Sequence, residues 1–263
     1  MLGAIAGDIA GSTHEWRPVE SRDFPLFTRD SHFTDDSVLT VATAHAILSD
    51  GDYAAAYHAF GNRHPHAGYG GSFRNWLRSP AKQPYGSWGN GSAMRVSPIG
   101  WAFDTEPDVL REAERSANVT HNHPHGVAGA QAVALGIFLA RRGAPKEDIR
   151  RELSERFDYD LARTVEDIRP GYSFDVSCQG SVPEAIVAFL GARDVEYAIR
   201  NAIFLGGDAD TQAAIAGSLA EAWHGGVPAE VRDAAQARLS ADLREVTDRF
   251  AARYMNVTTG DAS

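Results

Sequence analysis

Residues 182–203 read VPEAIVAFLGARDVEYAIRNAI, and this stretch decides the fold class. Apolar side chains recur at i, i+3, i+4, i+7 and i+8 from Val182, and the same spacing starts again at Val195. Such spacing gathers the apolar side chains on one face of an α-helix. The stretch therefore predicts two consecutive amphipathic helices.

The same helical spacing recurs along most of the chain. It predicts further helices over 36–49, 106–117, 125–141, 146–156, 211–224 and 229–253. Alanine, which favours helix, is abundant, and no run alternates apolar and polar residues as a half-buried strand does. With 263 residues the chain is long enough for one large core. We therefore expect one all-α domain over 1–256 and a flexible tail over 257–263.

Composition and charge exclude several classes of protein. A formal charge of −10 would repel a long polyanion, so we expect no nucleic-acid binding. The only cysteine, Cys178, excludes an intrachain disulfide framework and a cysteine zinc cluster. The longest apolar run, 127–140, is too short to span a bilayer, and the N-terminus lacks the basic start of a secretory signal. We expect a cytoplasmic monomer that binds no membrane.

Two acidic segments each precede an apolar helical run. They are FTDDS at 33–37 and GGDADT at 206–211. Helix capping explains either segment alone, because Thr34 and Asp208 are common N-cap residue types and acids suit the first turn. Together they offer four carboxylates, and clustered carboxylates need a compensating cation. Oxygen ligands select Mg²⁺, Mn²⁺ or Ca²⁺ over zinc.

Two further acids, Asp8 and Glu15, lie in or beside the segment GAIAGDIAGSTHEW at 3–16. Taken alone, both are expected to be surface or capping residues, because most acids are solvated.

Glycine-rich connections at 66–72, 86–92, 169–180 and 205–208 separate the predicted helices. Loops on a rigid helical scaffold commonly carry function.

Five segments together resemble the ADP-ribosylglycohydrolases, a family that includes dinitrogenase reductase-activating glycohydrolases and ADP-ribosylserine hydrolases. The resemblance extends from about residue 2 to residue 225, and the five segments are GAIAGDIAGSTHEW (3–16), FTDDS (33–37), YGSWGNGSAMRVSPIG (85–100), THNHP (120–124) and FLGGDADTQAAIAGSLAEAWHG (204–225). It implies orthogonally packed helices around a cleft that holds two divalent cations, Mg²⁺ or Mn²⁺. The implied metal ligands are Glu15, Thr34, Asp35, Asp36, Asp208, Asp210 and Thr211. Glu15 and Asp36 are the implied catalytic residues, with Glu15 serving as acid or base.

The resemblance also assigns ligand contacts to the glycine loops. The first loop, whose backbone amides hold a pyrophosphate in the family, comprises Gly68, Tyr69, Gly70, Gly71 and Ser72. The second, beside the distal ribose and adenine, comprises Gly86, Ser87, Trp88 and Gly89. The Trp88 indole can stack on adenine, although simple packing explains it equally well. His121 matches a histidine near the adenosine end.

One departure from the family bears on the substrate. The arginine-directed branch carries a further acid where this chain reads GYGGSFRNW at 68–76, so the resemblance favours serine-linked or other O-linked ADP-ribose.

Three alternatives remain: a non-catalytic ADP-ribose or nucleotide-binding protein, a hydrolase of a small derivative such as O-acetyl-ADP-ribose, and a metal-dependent phosphatase. A serine or cysteine hydrolase is not expected, because the chain lacks a nucleophile elbow and Cys178 lies in a glycine-flanked loop without an identified base.

Overall fold

A computed structural model describes residues 1–255, and the predicted tail over 257–263 lies outside them. The described residues form fourteen α-helices and no strand, which confirms the all-α prediction. Two 3₁₀ turns, Asn90–Ser92 and Arg169–Gly171, interrupt the loops. The helices are α1 (Leu2–Gly11), α2 (Asp35–Leu48), α3 (Tyr53–Arg63), α4 (Gly71–Arg78), α5 (Ser97–Ala102), α6 (Glu106–Asn118), α7 (Pro124–Arg141), α8 (Lys146–Phe157), α9 (Val165–Ile168), α10 (Cys178–Leu190), α11 (Val195–Leu205), α12 (Ala209–His224), α13 (Ala229–Gln236) and α14 (Ala241–Tyr254).

The helices of the deciding stretch are α10 and α11, and their starts follow ordinary capping chemistry. Ser177 accepts a hydrogen bond from the Gly180 amide, and Asp194 accepts one from the Tyr197 amide. Each side chain satisfies a backbone N–H that has no partner in the first helical turn. Cys178 is the buried first residue of α10, so its predicted position in a loop was wrong.

The predicted helix over 229–253 was also wrong. It divides into α13 and α14 at residues 237–240, where Ser240 takes an extended conformation (φ −64°, ψ 159°). The apolar spacing continues across the break, because Ala235, Leu239 and Leu243 are all buried. The spacing of apolar residues therefore did not reveal that the helix is interrupted at residues 237–240.

Five helices were not predicted, namely α1, α3, α4, α5 and α9. The most consequential is α1, in which every residue from Gly3 to Gly11 is buried. A helix buried all round has no polar face, so it lacks the amphipathic pattern that identifies a helix.

Glycines bring α1 against α12 at the centre of the molecule. A methyl group on Gly3 would lie 2.2 Å from the Gly217 carbonyl oxygen, and one on Gly7 would lie 2.0 Å from the Ala213 carbonyl oxygen. A methyl group on Gly11 would lie 2.5 Å from the Asp210 Cα. Only glycine permits such close backbone approach. This contact places the end of α1 beside the start of α12.

Helix α12 is buried along nearly all its length and packs against α1, α7, α10 and α11. Its N-terminus and that of α2 open onto the same cavity. None of the helices in residues 1–255 is long and apolar enough to cross a membrane.

Candidate active site

The two acidic segments meet at one end of a cavity of about 470 Å³. Asp36, at the start of α2, and Asp210, at the start of α12, form a group with Asp8 of α1 in which one carboxylate oxygen from each residue lies within 4.8 Å of the other two. Asp35 and Asp208 line the same end of the cavity. Each segment opens a helix as predicted, with Thr34 and Asp208 at the N-cap positions.

Asp8 is neither a surface residue nor a cap of its own helix. It is fully buried, and its carboxylate accepts from the Thr34 hydroxyl (2.6 Å), the Thr34 amide (2.9 Å), the Ser37 amide (3.0 Å) and the Ser37 hydroxyl. The two amides belong to the first turn of α2, so Asp8 caps that helix from across the core. Three of these donors bond Oδ2 and one bonds Oδ1. Asp8 therefore holds the TDD segment in place through most of its acceptor capacity.

Asp36 is bonded quite differently, although it is equally buried. Its Oδ2 accepts from the Thr211 hydroxyl at 3.2 Å, whereas its Oδ1 has no hydrogen-bond partner among the described residues. The Thr34 hydroxyl lies 3.4 Å away, but its single proton goes to Asp8 at the shorter distance. A buried oxygen without a partner is costly unless something else coordinates it.

The second segment is held partly by a residue from the glycine loop. Asn90 Nδ2 donates to Asp208 Oδ2 at 2.7 Å. Asp210 Oδ1 accepts from the Thr211 amide at 2.9 Å. These bonds fix one oxygen of each carboxylate. The Thr211 hydroxyl bonds Asp36 across the two helices, so the two segments form one structure.

Burial and mutual repulsion dominate the electrostatics of this cluster. Burial, reinforced by the charge of Asp210, raises the pKa of Asp35, Asp36 and Asp208 well above the usual range of a carboxyl group. The same two causes, opposed by its hydrogen bonds, raise the pKa of Asp8 to about 6. Carboxylates packed in this way favour either protonation or a bound cation.

The residues present fit a divalent cation. The candidate ligands among the residues that line the cavity are carboxylate and hydroxyl oxygens, which Mg²⁺ and Mn²⁺ prefer, and they come from Asp35, Asp36, Asp208, Asp210 and Thr211. The partnerless Asp36 Oδ1 is an unused ligand atom. Thr34 also lines the cavity, although its proton is committed to Asp8.

Glu15 lies at the same end, in the loop that follows α1. It lines the cavity and is partly buried. Burial and the nearby charge of Asp210 raise its pKa above the usual range. A raised pKa suits a carboxyl group that exchanges a proton near neutral pH.

The glycine loops form the other walls of the cavity. Of the predicted ligand contacts, those that line it are Gly68, Gly70, Gly71, Ser72, Ser87, Gly89 and His121. Tyr69 instead packs inward against Phe73, with ring centroids 5.1 Å apart. Trp88 is 56% exposed and lies against His123. Neither Tyr69, Gly86 nor Trp88 lines the cavity.

His121 is held in place by a chain of hydrogen bonds. Arg95 Nη2 donates to the Thr120 hydroxyl oxygen at 3.1 Å, and that hydroxyl lies 2.7 Å from His121 Nδ1. Because a hydroxyl oxygen can accept two hydrogen bonds and also donate one, these contacts fit either tautomer of the imidazole. Burial and the charge of Arg95 lower the pKa of His121 well below its usual value, so the ring is neutral. The cavity is therefore lined by an uncharged imidazole whose Nδ1 is already bonded.

Comparison with known proteins decides the family. The family model described as ADP-ribosylglycohydrolase matches residues 1–260. The chain belongs to this family. It is therefore a hydrolase that acts on ADP-ribose glycosidic bonds, and the resemblance drawn from the sequence is confirmed.

Individual relatives are distant but cover most of the glycohydrolase. ADP-ribosylhydrolase ARH3 of Xenopus tropicalis is 27% identical over 86% of each chain, and the Homo sapiens protein of that name is 27% identical over 86% of this chain and 84% of its own. ADP-ribosylarginine hydrolase Tri1 of Pseudomonas putida is 27% identical over 88% and 71%. A solved ADP-ribosylglycohydrolase-related protein complex has a TM-score of 0.71 at 28% identity, covering 95% of this chain and 94% of its own.

Three residues of the glycohydrolase site were missed by the sequence reasoning. The sequence around Asp8 does indicate its role, because an acid in an otherwise apolar, glycine-spaced helix needs buried partners. Asn90 and Arg95 lie in the motif GNGSAMR at 89–95, which was used only to recognise the family. Arg95 is fully buried, stacks over the Tyr57 ring at 4.3 Å and donates to the Ser116 carbonyl oxygen at 2.7 Å. No sequence pattern predicts a buried arginine of this kind.

Proposed function

We propose that this glycohydrolase is a metal-dependent enzyme that cleaves the bond between ADP-ribose and an acceptor side chain, with serine and other O-linked acceptors favoured over arginine. The observation that carries the proposal is the buried carboxylate cluster, with its partnerless Asp36 Oδ1, at one end of a cavity walled by glycine loops. One end suits cations and the sugar, and the other suits a nucleotide.

The cation site would comprise Asp35, Asp36, Asp208, Asp210 and Thr211, with Glu15 and Thr34 at its border. Two ions, Mg²⁺ or Mn²⁺, are proposed because the set holds more carboxylates than one ion needs. When bound, such ions supply charge stabilisation and polarise a coordinated oxygen. The Asp8 carboxylate holds the first turn of α2 and thereby fixes the ligands that begin that helix.

The chain's own residues would bind and orient the substrate as follows. The loop over 68–72 would present backbone amides to the pyrophosphate, and the neutral His121 would form a hydrogen bond with the nucleoside. Glycosidic cleavage develops positive charge on the ribose ring, which the neighbouring carboxylates favour. Glu15, with its raised pKa, would transfer a proton to the leaving oxygen or take one from the attacking water.

The preference for an O-linked acceptor rests on charge. A guanidinium acceptor would call for an additional carboxylate, and the segment GYGGSFRNW at 68–76, where the arginine-directed branch carries one, contains no acid. A hydroxyl acceptor needs no counter-charge. We therefore expect serine-linked substrates to react faster than arginine-linked ones.

Incubation with serine- and arginine-ADP-ribosylated peptides, in Mg²⁺, Mn²⁺ or EDTA, tests the proposal through release of free ADP-ribose. We expect release from the serine peptide with either metal and none in EDTA. Release in EDTA would contradict metal dependence, and faster release from the arginine peptide would contradict the acceptor preference. Tight ADP-ribose binding without release from either peptide would contradict catalysis.

A further inference from the structure

A second pocket, of about 340 Å³, adjoins the acid-lined cavity. The two share Glu15 and Phe174 on their walls. Beyond Glu15, the second pocket is bounded by Trp16, Ser173 and the backbone of 205–207. Glu15 thus separates two spaces, one holding the carboxylate cluster and one opening to solvent.

The outer wall of this second pocket is an exposed aromatic pair. The rings of Trp16 and Phe174 stack with centroids 4.7 Å apart and planes at 23°, yet Trp16 is 73% exposed and Phe174 is 41% exposed. Large aromatic side chains left in water are unfavourable alone, but they are the commonest anchors of binding surfaces. Trp16 directly follows Glu15, so the aromatic surface begins at the reacting end.

Two charged residues, Glu15 and Arg169, line the pocket. The Arg169 guanidinium donates to the carbonyl oxygens of Val19 and Phe204 and lies 3.8 Å from the centre of the Phe204 ring, so it is engaged by neighbouring groups. The remaining walls are uncharged and largely aromatic or apolar. Because Glu15 would repel a phosphate and Arg169 is engaged, such a surface favours an uncharged or aromatic segment.

We propose that this pocket is the acceptor subsite and that it takes the peptide segment carrying the ADP-ribosylated side chain. The inference rests on the proposed function. If ADP-ribose fills the cavity between His121 and the carboxylates, the bond to be cleaved lies beside Glu15. The acceptor then continues past Glu15, into the pocket that shares this residue. A small acyl group would fill only a minor part of its volume, whereas a few peptide residues would occupy it.

The test compares a ligand that has an acceptor with one that lacks it. Trp16→Ala removes the aromatic wall, and Ser173→Phe fills the pocket; Trp16 and Ser173 line only the second pocket. The Michaelis constant is measured with serine-ADP-ribosylated peptide, and the dissociation constant is measured with free ADP-ribose. Trp223→Ala serves as the control, because this tryptophan is also partly exposed but lines neither pocket.

We expect both pocket variants to raise the Michaelis constant for the peptide about five- to tenfold, Trp16→Ala because it loses an aromatic contact and Ser173→Phe because it occupies the space that the peptide would take. Their affinity for free ADP-ribose should stay within about twofold of the wild type, as should both constants in the control. An unchanged Michaelis constant, or an equal loss of ADP-ribose affinity, would overturn the inference. A wild-type protein that cleaves no ADP-ribosylated peptide would overturn the proposed function, and the subsite with it.

Discussion

The acidic end and the histidine end of the cavity differ in how far the surrounding residues satisfy their polar groups. At the acidic end, buried carboxylates repel one another, and Asp36 keeps an oxygen without a partner. At the other end, His121 is neutral and its Nδ1 is bonded through Thr120 to Arg95. The acidic end therefore keeps ligand capacity that no described residue uses, whereas the histidine end is organised by its own hydrogen bonds. We expect substitutions at the first to change turnover and metal response, and substitutions at the second to change binding.

The largest expected effect belongs to Asp36→Asn. The change removes a ligand charge, so kcat should fall at least about a thousandfold, equivalent to about 4 kcal/mol of transition-state stabilisation. Stability in EDTA should be unchanged or increased, because one repelling charge is lost. The measurements are peptide turnover and thermal unfolding.

Asp8→Asn is the matched control within the same cluster. Its carboxylate is an acceptor for four donors, so its loss should destabilise the fold in EDTA by about 1–3 kcal/mol. Similar destabilisation by both variants would remove the distinction drawn between a capping and a ligand carboxylate.

Glu15→Gln should give the next largest effect. It retains the size of the side chain but removes proton exchange, so kcat should fall about 10²- to 10⁴-fold while ADP-ribose affinity changes little. Glu20→Gln, a change to an exposed acid in the same loop region, is the control. A comparable loss of ADP-ribose affinity in Glu15→Gln would show that this residue acts in binding rather than in proton transfer.

A rise in pH should lower the stability of the folded protein, whereas a bound metal ion should raise it. The raised pKa values of Asp35, Asp36 and Asp208, and of Asp8 at about 6, mean that the folded protein binds protons that the unfolded chain does not. This stabilising contribution is present below the unfolded pKa and is lost as pH rises through the folded pKa. In EDTA, these groups should make the protein less stable at pH 7.5 than at pH 5.5.

Mg²⁺ or Mn²⁺ should reverse that loss at pH 7.5. At a metal concentration of 100 times Kd the stabilisation is about 2.7 kcal/mol, which raises Tm by about 5–10 °C for a chain of this size. The gain should be smaller at pH 5.5, where protons compete. A calorimetric Tm that is indifferent to metal at pH 7.5 would argue against a cation site.

The smallest effect is expected at the histidine end. Thr120→Val removes the hydroxyl between Arg95 and His121, so the imidazole is no longer held by a hydrogen bond to Nδ1. The dissociation constant for ADP-ribose should rise about three- to tenfold, with kcat within about twofold. Thr120→Ser restores the hydroxyl and should restore affinity. A parallel fall in kcat would contradict the division of the cavity into a binding end and a reacting end.

Much of the candidate site was accessible from the sequence because it is local. The segments at 33–37 and 206–211 each place acids at a helix start, and both helices begin there. The glycine loops were also found, although Tyr69 and Trp88 point away from the cavity. The direction of a side chain within a loop depends on packing against residues that are distant in sequence, and the local sequence does not show that packing. The second pocket was missed for the same reason, because its walls come from loops about 160 residues apart in sequence.

The sequence by itself determined the helical class, the family and the chemical types of the ligands. These follow from a 3.6-residue period and short motifs, which are properties of neighbouring residues. Only the tertiary structure decided that the two acidic segments meet, that Asp8 caps α2 rather than its own helix, and that Thr120 links His121 to Arg95. These contacts depend on how closely helices pack, and the glycines of α1 that allow that approach act only when α12 is present.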